Sequence, residues 1–462
     1  MEQRLVFDPE VLRRYDVSGP RYTSYPTAPQ FHEGFDASTY ARVARESSVA
    51  DPHAPLSLYV HVPFCDTVCF YCACNKVVTG NYRRAEAYLD ALEREIALQA
   101  ALFGRGRPVR QLHLGGGTPT YLSDADLARV MHALARHFWL ETGPEREFSI
   151  EIDPRAVGPD TLAHLARLGF NRVSLGVQDV NPEVQRAVNR IQPFAVTEQA
   201  VRQARANGFV STNVDLIYGL PLQTVATYTA TLDRVLELRP ERLAIYNYAH
   251  LPEMFKTQRQ IREADLPPAA EKLAILEATI ERLTAAGYVY IGMDHFALPE
   301  DELAVAQRAG TLQRNFQGYS TRAEYDLVAL GPTAIGRVGN SYSQNLREVE
   351  AWQTRLEAGR LPVFRGLELS ADDQLRRDVI RELMCHSRID FAAIEARHGI
   401  DFHATFADAL TRLEQMQADG LLEIDAQQLR VQPRGRLLLR NIAMAFDAYL
   451  QREERPRYSR VV

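Results

Sequence analysis

The chain reads as an α/β protein built on a mostly parallel sheet, and three features point there. Apolar runs of strand length recur at 56–64 (LSLYVHVPF), 109–114, 148–153, 172–178, 212–219 and 242–249. Segments of helical period lie between them, the alternation that right-handed crossovers join into a parallel sheet. Polar residues stand at or just after the C-terminal ends of these runs: Cys65, Gly115 to Thr118, Asp153, Gln178, Asp215 and His250. A doubly wound sheet and a partial barrel both satisfy the pattern, and a barrel-like curve would converge the polar ends on one site.

Taken in order, residues 1–50 read as an irregular N-terminal arm. Its notable piece is PRYTSYPTAP (20–29), where three prolines favour an extended course and Arg21, Tyr22 and Tyr25 offer anion-pairing and stacking groups. The helical pattern at 85–103 puts Leu89, Leu92, Ile96 and Phe103 on one face. Ser123, followed by an acidic first turn, opens the helix over 123–138 as a cap. Further helices are expected at 195–207, 224–237 and 268–286, the last ending at Gly287. A strand at 288–299 and Gly-rich loops at 315–336 extend the core, and a break falls at 355–369.

Beyond it, Ser370 and Asp373 form a capping box ahead of helices at 371–386, 391–398 and 403–418, with a hairpin at 420–435 and a last helix. The expected domains are therefore the arm (1–50), a barrel or sheet domain (51–365) and a mostly helical, winged-helix-like domain (366–462). The net charge of −6 gives no basic stripe, so a lid or docking module is expected there rather than a DNA-binding one. Nucleic acid is not an expected partner. Neither is a membrane: the N-terminus lacks an apolar signal core, and no stretch approaches the roughly 20 apolar residues a membrane helix needs. A cytoplasmic protein is expected.

The loudest local signal is CDTVCFYCAC, which places Cys65, Cys69, Cys72 and Cys74, four of the five cysteines, inside ten residues. Thiolates at i, i+4 and i+7 fit one tight loop able to wrap one face of an iron–sulfur cubane. Three ligands leave one iron open, the mark of a site that binds substrate or does chemistry. Cys74 is a candidate fourth ligand with the poorer geometry, since a C-x-C step must reach around the cluster from adjacent turns. A zinc knuckle would need a second arm, and a disulfide framework does not suit an odd number of cysteines in a long chain without a secretory segment. After the second apolar run, Gly115-Gly116-Gly117-Thr118-Pro119 lets backbone approach a ligand closely.

The C-x3-C-x-aromatic-C spacing resembles the radical S-adenosylmethionine (SAM) family. The wider text YVHVPFCDTVCFYCACNK, the 20–29 segment and the closing SRVV are similar to the oxygen-independent coproporphyrinogen III oxidases within it. The resemblance implies a partial (β/α)6 TIM-like barrel of the radical SAM type, with the arm folding over the active-site opening. It implies a [4Fe-4S] cluster on Cys65, Cys69 and Cys72 and two molecules of S-adenosyl-L-methionine. Tyr59 and His61 match residues close to the cluster and first SAM, and Gly116, Glu151 and Ile335 match first-SAM contacts. Gln178, Arg190 and Asp215 match the second-SAM site, together with Gly117, Thr118 and the backbone of Tyr71 and Ala249. Tyr59, His61 and Arg190 are the implied catalytic residues.

The implied reaction converts two propionates of coproporphyrinogen III to vinyl groups through 5′-deoxyadenosyl radicals, giving protoporphyrinogen IX in haem biosynthesis. An electron donor such as flavodoxin or ferredoxin and a monomeric state are implied with it, and Arg21 and Arg190 are candidates for the substrate carboxylates. Two departures stand out: the aromatics run Phe70-Tyr71, and Ala73 occupies a position where Gly is common. The rival reading is a haem-trafficking paralogue without decarboxylase activity. That group usually lacks the C-x-C cysteine and the arm, both of which this chain has.

Overall fold

The computed structural model describes residues 5–450; the closing SRVV lies outside them. The chain forms two compact units: Phe31–Pro268 with Glu324–Glu368, and residues up to Gln30 with Ala269–Ala323 and the segment from Leu369 onward.

The first unit holds the expected strands: β1 (Leu56–Val62), β2 (Pro108–Gly116), β3 (Glu147–Ile152), β4 (Arg172–Gln178), β5 (Ser211–Tyr218) and β6 (Arg242–Asn247). They lie in sequential order and are parallel throughout. A doubly wound sheet reverses its order at a switch point; this one does not, and it forms a partial (β/α)6 barrel. Helices α1 (Ala37–Ala50), α2 (Arg83–Phe103), α3 (Asp124–His137), α4 (Thr161–Arg167), α5 (Phe194–Ala206) and α6 (Val225–Glu237) accompany the strands. Their caps follow the sequence: the Ser123 side chain accepts from the Asp126 N–H, and Leu89, Leu92, Ile96 and Phe103 are buried along α2.

Three readings of the sequence are corrected. The arm is not irregular throughout, because Pro9–Arg14 is a short helix and α1 starts at an Asp36 cap that accepts from Ser38 and Thr39. Each is capped by an aspartate whose carboxylate competes for the free N–H groups of the first turn. The supposed break at 355–369 and the supposed Gly-rich loops at 315–336 both contain strands. β7 (Asp326–Leu330) pairs parallel with the outer flank of β1, and β8 (Ile335–Val338), β9 (Ser341–Asn345) and β10 (Val363–Glu368) continue the sheet antiparallel. Finally, the helix expected at 403–418 is divided at Phe406 into Phe402–Thr405 and Ala407–Ala418.

A buried carboxylate ties β7 to β9. Glu95 on α2, fully buried, accepts from the Gly331 N–H and Asn345 Nδ2, both at 2.7 Å, and from Trp352 Nε1 at 3.1 Å. Burial pushes its carboxyl up to about 8 against these three donors. Gly331 has φ +94° and lies so close to β1 that a Cβ would stand 2.5 Å from the His61 carbonyl oxygen, which also accepts from Tyr88 Oη at 2.8 Å.

In the second unit, Ser370 and Asp373 make the expected capping box at the start of Ala371–His386. The hairpin Leu422–Ile424 and Gln428–Val431 gains a third strand, Arg388–Asp390. Val379, Leu383, Phe402, Phe406 and Leu439 form a core that also takes in Val11, Leu12, Tyr22 and Tyr25. The 20–29 stretch is thus packed by its aromatics, with Tyr22 Oη donating to Asp447 at 2.9 Å and Arg21 ion-paired to Asp294.

Candidate active site

Cys65 follows β1, and the loop it opens is closed by a short parallel pairing of Phe64 with Val77 and Cys65 with Val78. Outside segments brace it. The Phe70 N–H donates to the Val188 carbonyl at 3.0 Å and Asn189 Nδ2 to the Val68 carbonyl at 2.7 Å. The Cys72 carbonyl accepts from Lys76 Nζ and Thr257 Oγ1, both at 3.1 Å. Cys65, Cys69 and Cys72 are half-buried, whereas Cys74 is exposed. Burial pushes the Cys65 thiol up to about 11, while a hydrogen bond from Cys74, aided by the Lys76 charge, draws Cys72 below the ordinary thiol range. Both directions describe the bare thiols; a bound metal replaces the proton outright.

The loop forms one wall of a cavity of about 500 Å³, into which Tyr71 also faces. Gly116, Gly117 and Thr118 supply a second wall from the end of β2. A Cβ on Gly116 (φ +118°) would stand 2.8 Å from the His61 ring, and one on Gly117 2.7 Å from the Phe64 carbonyl, so the close approach of backbone here requires glycine. Thr118 Oγ1 donates to Cys65 Sγ at 3.5 Å.

Glu151 and Gln178, at the ends of β3 and β4, and Asp215, within β5, complete the cavity. Glu151 accepts from the Gly116 N–H at 3.1 Å and from His113 Nε2 at 3.1 Å. Burial raises its carboxyl, but these two partners outweigh burial and hold it below the ordinary range. Asp215 accepts from Asn213 Nδ2 at 2.8 Å and Ser174 Oγ at 3.1 Å, yet burial and the Glu151 charge push it up to about 6. Arg190, 7% exposed, donates from Nη1 to Asp153 at 3.0 Å and to Cys69 Sγ at 3.6 Å, and from Nη2 to the Gly176 carbonyl at 2.5 Å. Gln178 takes the left-handed φ of +70° at a register shift that ends the β4–β5 pairing.

The arrangement fits a cluster bearing a SAM-like ligand. Four thiols line one cavity, the half-buried Cys65, Cys69 and Cys72 and the more exposed Cys74, and it also presents the Glu151 and Asp215 carboxylates, suited to ammonium and sulfonium cations, and the Arg155 and Arg190 guanidiniums, suited to a carboxylate. Gln178 Oε1 and Arg190 Nε are buried without a hydrogen-bond partner among the described residues, polar atoms left for a ligand. Among the described residues, no group of three or more His, Cys, Asp or Glu side chains is arranged to hold a single metal ion.

Four expected residues do not line the cavity. Tyr59 and His61 stand behind it on β1. Tyr59 stacks on His113 with ring centroids 5.8 Å apart and donates to His61 Nδ1 at 3.0 Å, and His61 Nε2 donates to the Asn75 carbonyl at 3.0 Å. Burial holds His61 neutral by lowering its pKa. Ala249 is reached through Gln258, and Ile335 opens β8 away from the cavity lining. Sequence reasoning missed His113, Arg155 and Gln258. Gln258, 1% exposed, accepts from the Leu251 N–H at 2.6 Å and donates to the carbonyls of Tyr71 at 3.0 Å and Ala249 at 3.2 Å.

Known proteins share this architecture. Residues 59–235 match the Radical SAM superfamily and residues 369–438 the HemN C-terminal domain. The oxygen-independent coproporphyrinogen III oxidase of Pseudomonas aeruginosa is 51% identical over 456 residues, covering 99% of each chain. That of Escherichia coli K12 is 49% identical, covering 100% of this chain and 99% of the other. The solved structure of coproporphyrinogen III oxidase (HemN) from Escherichia coli, a radical SAM enzyme, superposes with a TM-score of 0.91 at 48% identity, covering 96% of this chain and 100% of that one. With half its residues shared along essentially its full length, the chain belongs to the oxygen-independent coproporphyrinogen III oxidase family of radical SAM enzymes.

Proposed function

We propose that this chain oxidatively decarboxylates two propionate side chains of coproporphyrinogen III to vinyl groups, giving protoporphyrinogen IX in haem biosynthesis. The observation that carries the reading is the meeting of three half-buried thiols with Glu151, Asp215 and Arg190 on one cavity, in a chain of this family. A [4Fe-4S] cluster with SAM supplies, when bound, the one-electron cleavage that yields a hydrogen-abstracting carbon radical.

The protein's own part is binding, orientation and exclusion of water. Cys65, Cys69 and Cys72 hold the cluster in this proposal. Glu151 and the backbone at Gly116 take the amino group of a first SAM, with Tyr59, His61 and Ile335 supporting that side. Gln178, Arg190 and Asp215 take a second SAM, assisted by Gly117, Thr118 and the backbone of Tyr71 and Ala249. Arg190 meets a carboxylate with a charge fixed by Asp153, and neutral His61 orients Tyr59 without adding a cation.

The roles of the 1–50 arm, the 51–365 barrel and the 366–462 domain belong to the same proposal, as do a flavodoxin- or ferredoxin-type donor, a monomeric state and a cytoplasmic location. Among the described residues, no helix is long and apolar enough to cross a membrane. The test is anaerobic reconstitution with iron and sulfide, then incubation with SAM, a reductant and coproporphyrinogen III. Vinyl product and 5′-deoxyadenosine should form together; 5′-deoxyadenosine without vinyl product would defeat the substrate assignment.

A further inference from the structure

We propose that Arg155 sets the reduction potential of the cluster by holding a guanidinium against the Cys69 sulfur. The inference rests on the reading that Cys65, Cys69 and Cys72 carry the cluster. Arg155 lies in the 3-10 turn Pro154–Ala156 that follows β3, capped by Asp153, whose carboxylate accepts from the Arg155 N–H at 3.0 Å. The same carboxylate accepts from Arg155 Nη2 at 2.7 Å and from Arg190 Nη1 at 3.0 Å, so one anion aims two cations. Both reach one ligand sulfur: Arg190 Nη1 stands 3.6 Å and Arg155 Nη2 3.9 Å from Cys69 Sγ.

The other two thiols are served differently. Cys65 receives the neutral Thr118 hydroxyl at 3.5 Å, and Cys72 has the Cys74 thiol and a single cation, the Lys76 ammonium, which is bonded to its carbonyl at 3.1 Å and also acts on its sulfur. Two guanidiniums and one carboxylate leave a net positive charge at Cys69. Arg190 is assigned to a SAM carboxylate, which would neutralise it when that ligand binds. Arg155 is then the cation that stays with the sulfur. Hydrogen bonds and positive charge at ligand sulfurs stabilise the additional electron of a reduced cluster and raise its potential. Asp153 acts in the opposite sense through its own charge. Arg155 is thus a positioning and tuning residue.

The experiment is an anaerobic redox titration of the reconstituted full chain, followed by the electron paramagnetic resonance of the reduced cluster, without substrate. Arg155→Gln should lower the reduced-to-oxidised ratio at a fixed potential about tenfold, which is 59 mV for a one-electron couple. Arg155→Lys, which keeps the charge, should recover most of that shift. A Gln variant with a normal iron content and cluster spectrum but the wild-type potential overturns the inference. Should that variant fail to take up the cluster, Arg155→Met, which drops the charge and keeps an apolar stem, decides: its ratio must also fall, and an unchanged or higher ratio overturns the inference. A wild-type chain that takes up no cluster overturns the functional reading as well, so the two failures are distinguishable.

Discussion

Gln258 offers the sharpest test of how the cavity is held. Its amide makes three hydrogen bonds, to the Leu251 N–H and to the carbonyls of Tyr71 and Ala249. A net hydrogen bond is worth about 1 kcal/mol, so Gln258→Ala would cost about 3 kcal/mol if no water replaced the amide. The two carbonyls belong to half-buried residues that water can partly serve, which brings the expected loss to about 2 kcal/mol. Tyr71 and Ala249 are the backbone positions assigned to the second SAM, so freeing them should weaken SAM binding about tenfold, or about 1.4 kcal/mol. Gln258→Glu should be worse than Ala, because it sets carboxylate oxygens against both carbonyls. Anaerobic denaturant unfolding gives the first number and SAM titration by calorimetry the second. A 2 kcal/mol loss of stability with unchanged SAM affinity would refute the link between this amide and the ligand.

Other outcomes are expected together. Serine at Cys65, Cys69 or Cys72 should abolish both the iron–sulfur absorbance and turnover, whereas Cys74→Ser, at an exposed thiol outside the proposed ligand set, should retain its iron on chemical assay. Gly116→Ala imposes a Cβ on φ +118° and against the His61 ring at 2.8 Å, so it should cost at least about 1–2 kcal/mol in stability and sharply weaken SAM binding, both measurable on the purified variant. Asp215 is pushed up to about 6, so SAM affinity should fall as pH drops through 6, and Asp215→Asn should remove that inflection from the binding profile. For the free protein the sign is opposite. The folded state holds this proton more tightly than the unfolded one, so the contribution of Asp215 to stability improves as pH falls from about 6 towards 4, which pH-dependent unfolding of the two proteins checks.

Much of this was legible in the sequence because it is local. The six parallel strands announce themselves as apolar runs, and the thiols and the glycine run are contiguous text. What escaped depends on partners distant in sequence. Strand β9 reads SYSQN and shows no apolar pattern, yet it is buried throughout, because Asn345 bonds Glu95 and Gln344 bonds Thr333. β10 follows a proline and contains Gly366, which mimics a break; that glycine is needed where a Cβ would meet the Tyr342 carbonyl and the Phe35 ring. Gln258 and Arg155 sit in short 3-10 turns, where no periodicity marks them. The folded chain alone brings Gln258 to Tyr71 and Arg155 to Cys69.

The placement of β7 against β1 has a mechanical consequence. A partial barrel that ended at its first strand would hang the thiol-bearing loop from a free margin, where backbone frays most easily. Here that strand is hydrogen-bonded on both flanks, and its His61 carbonyl, one residue from the end, is gripped by Tyr88 beneath the Gly331 turn. Local opening there must break two ladders at once, so the footing of Cys65 belongs among the slowest-exchanging parts of its unit. The loop that carries the cysteines is thereby rooted in a strand paired along both flanks rather than in a free margin.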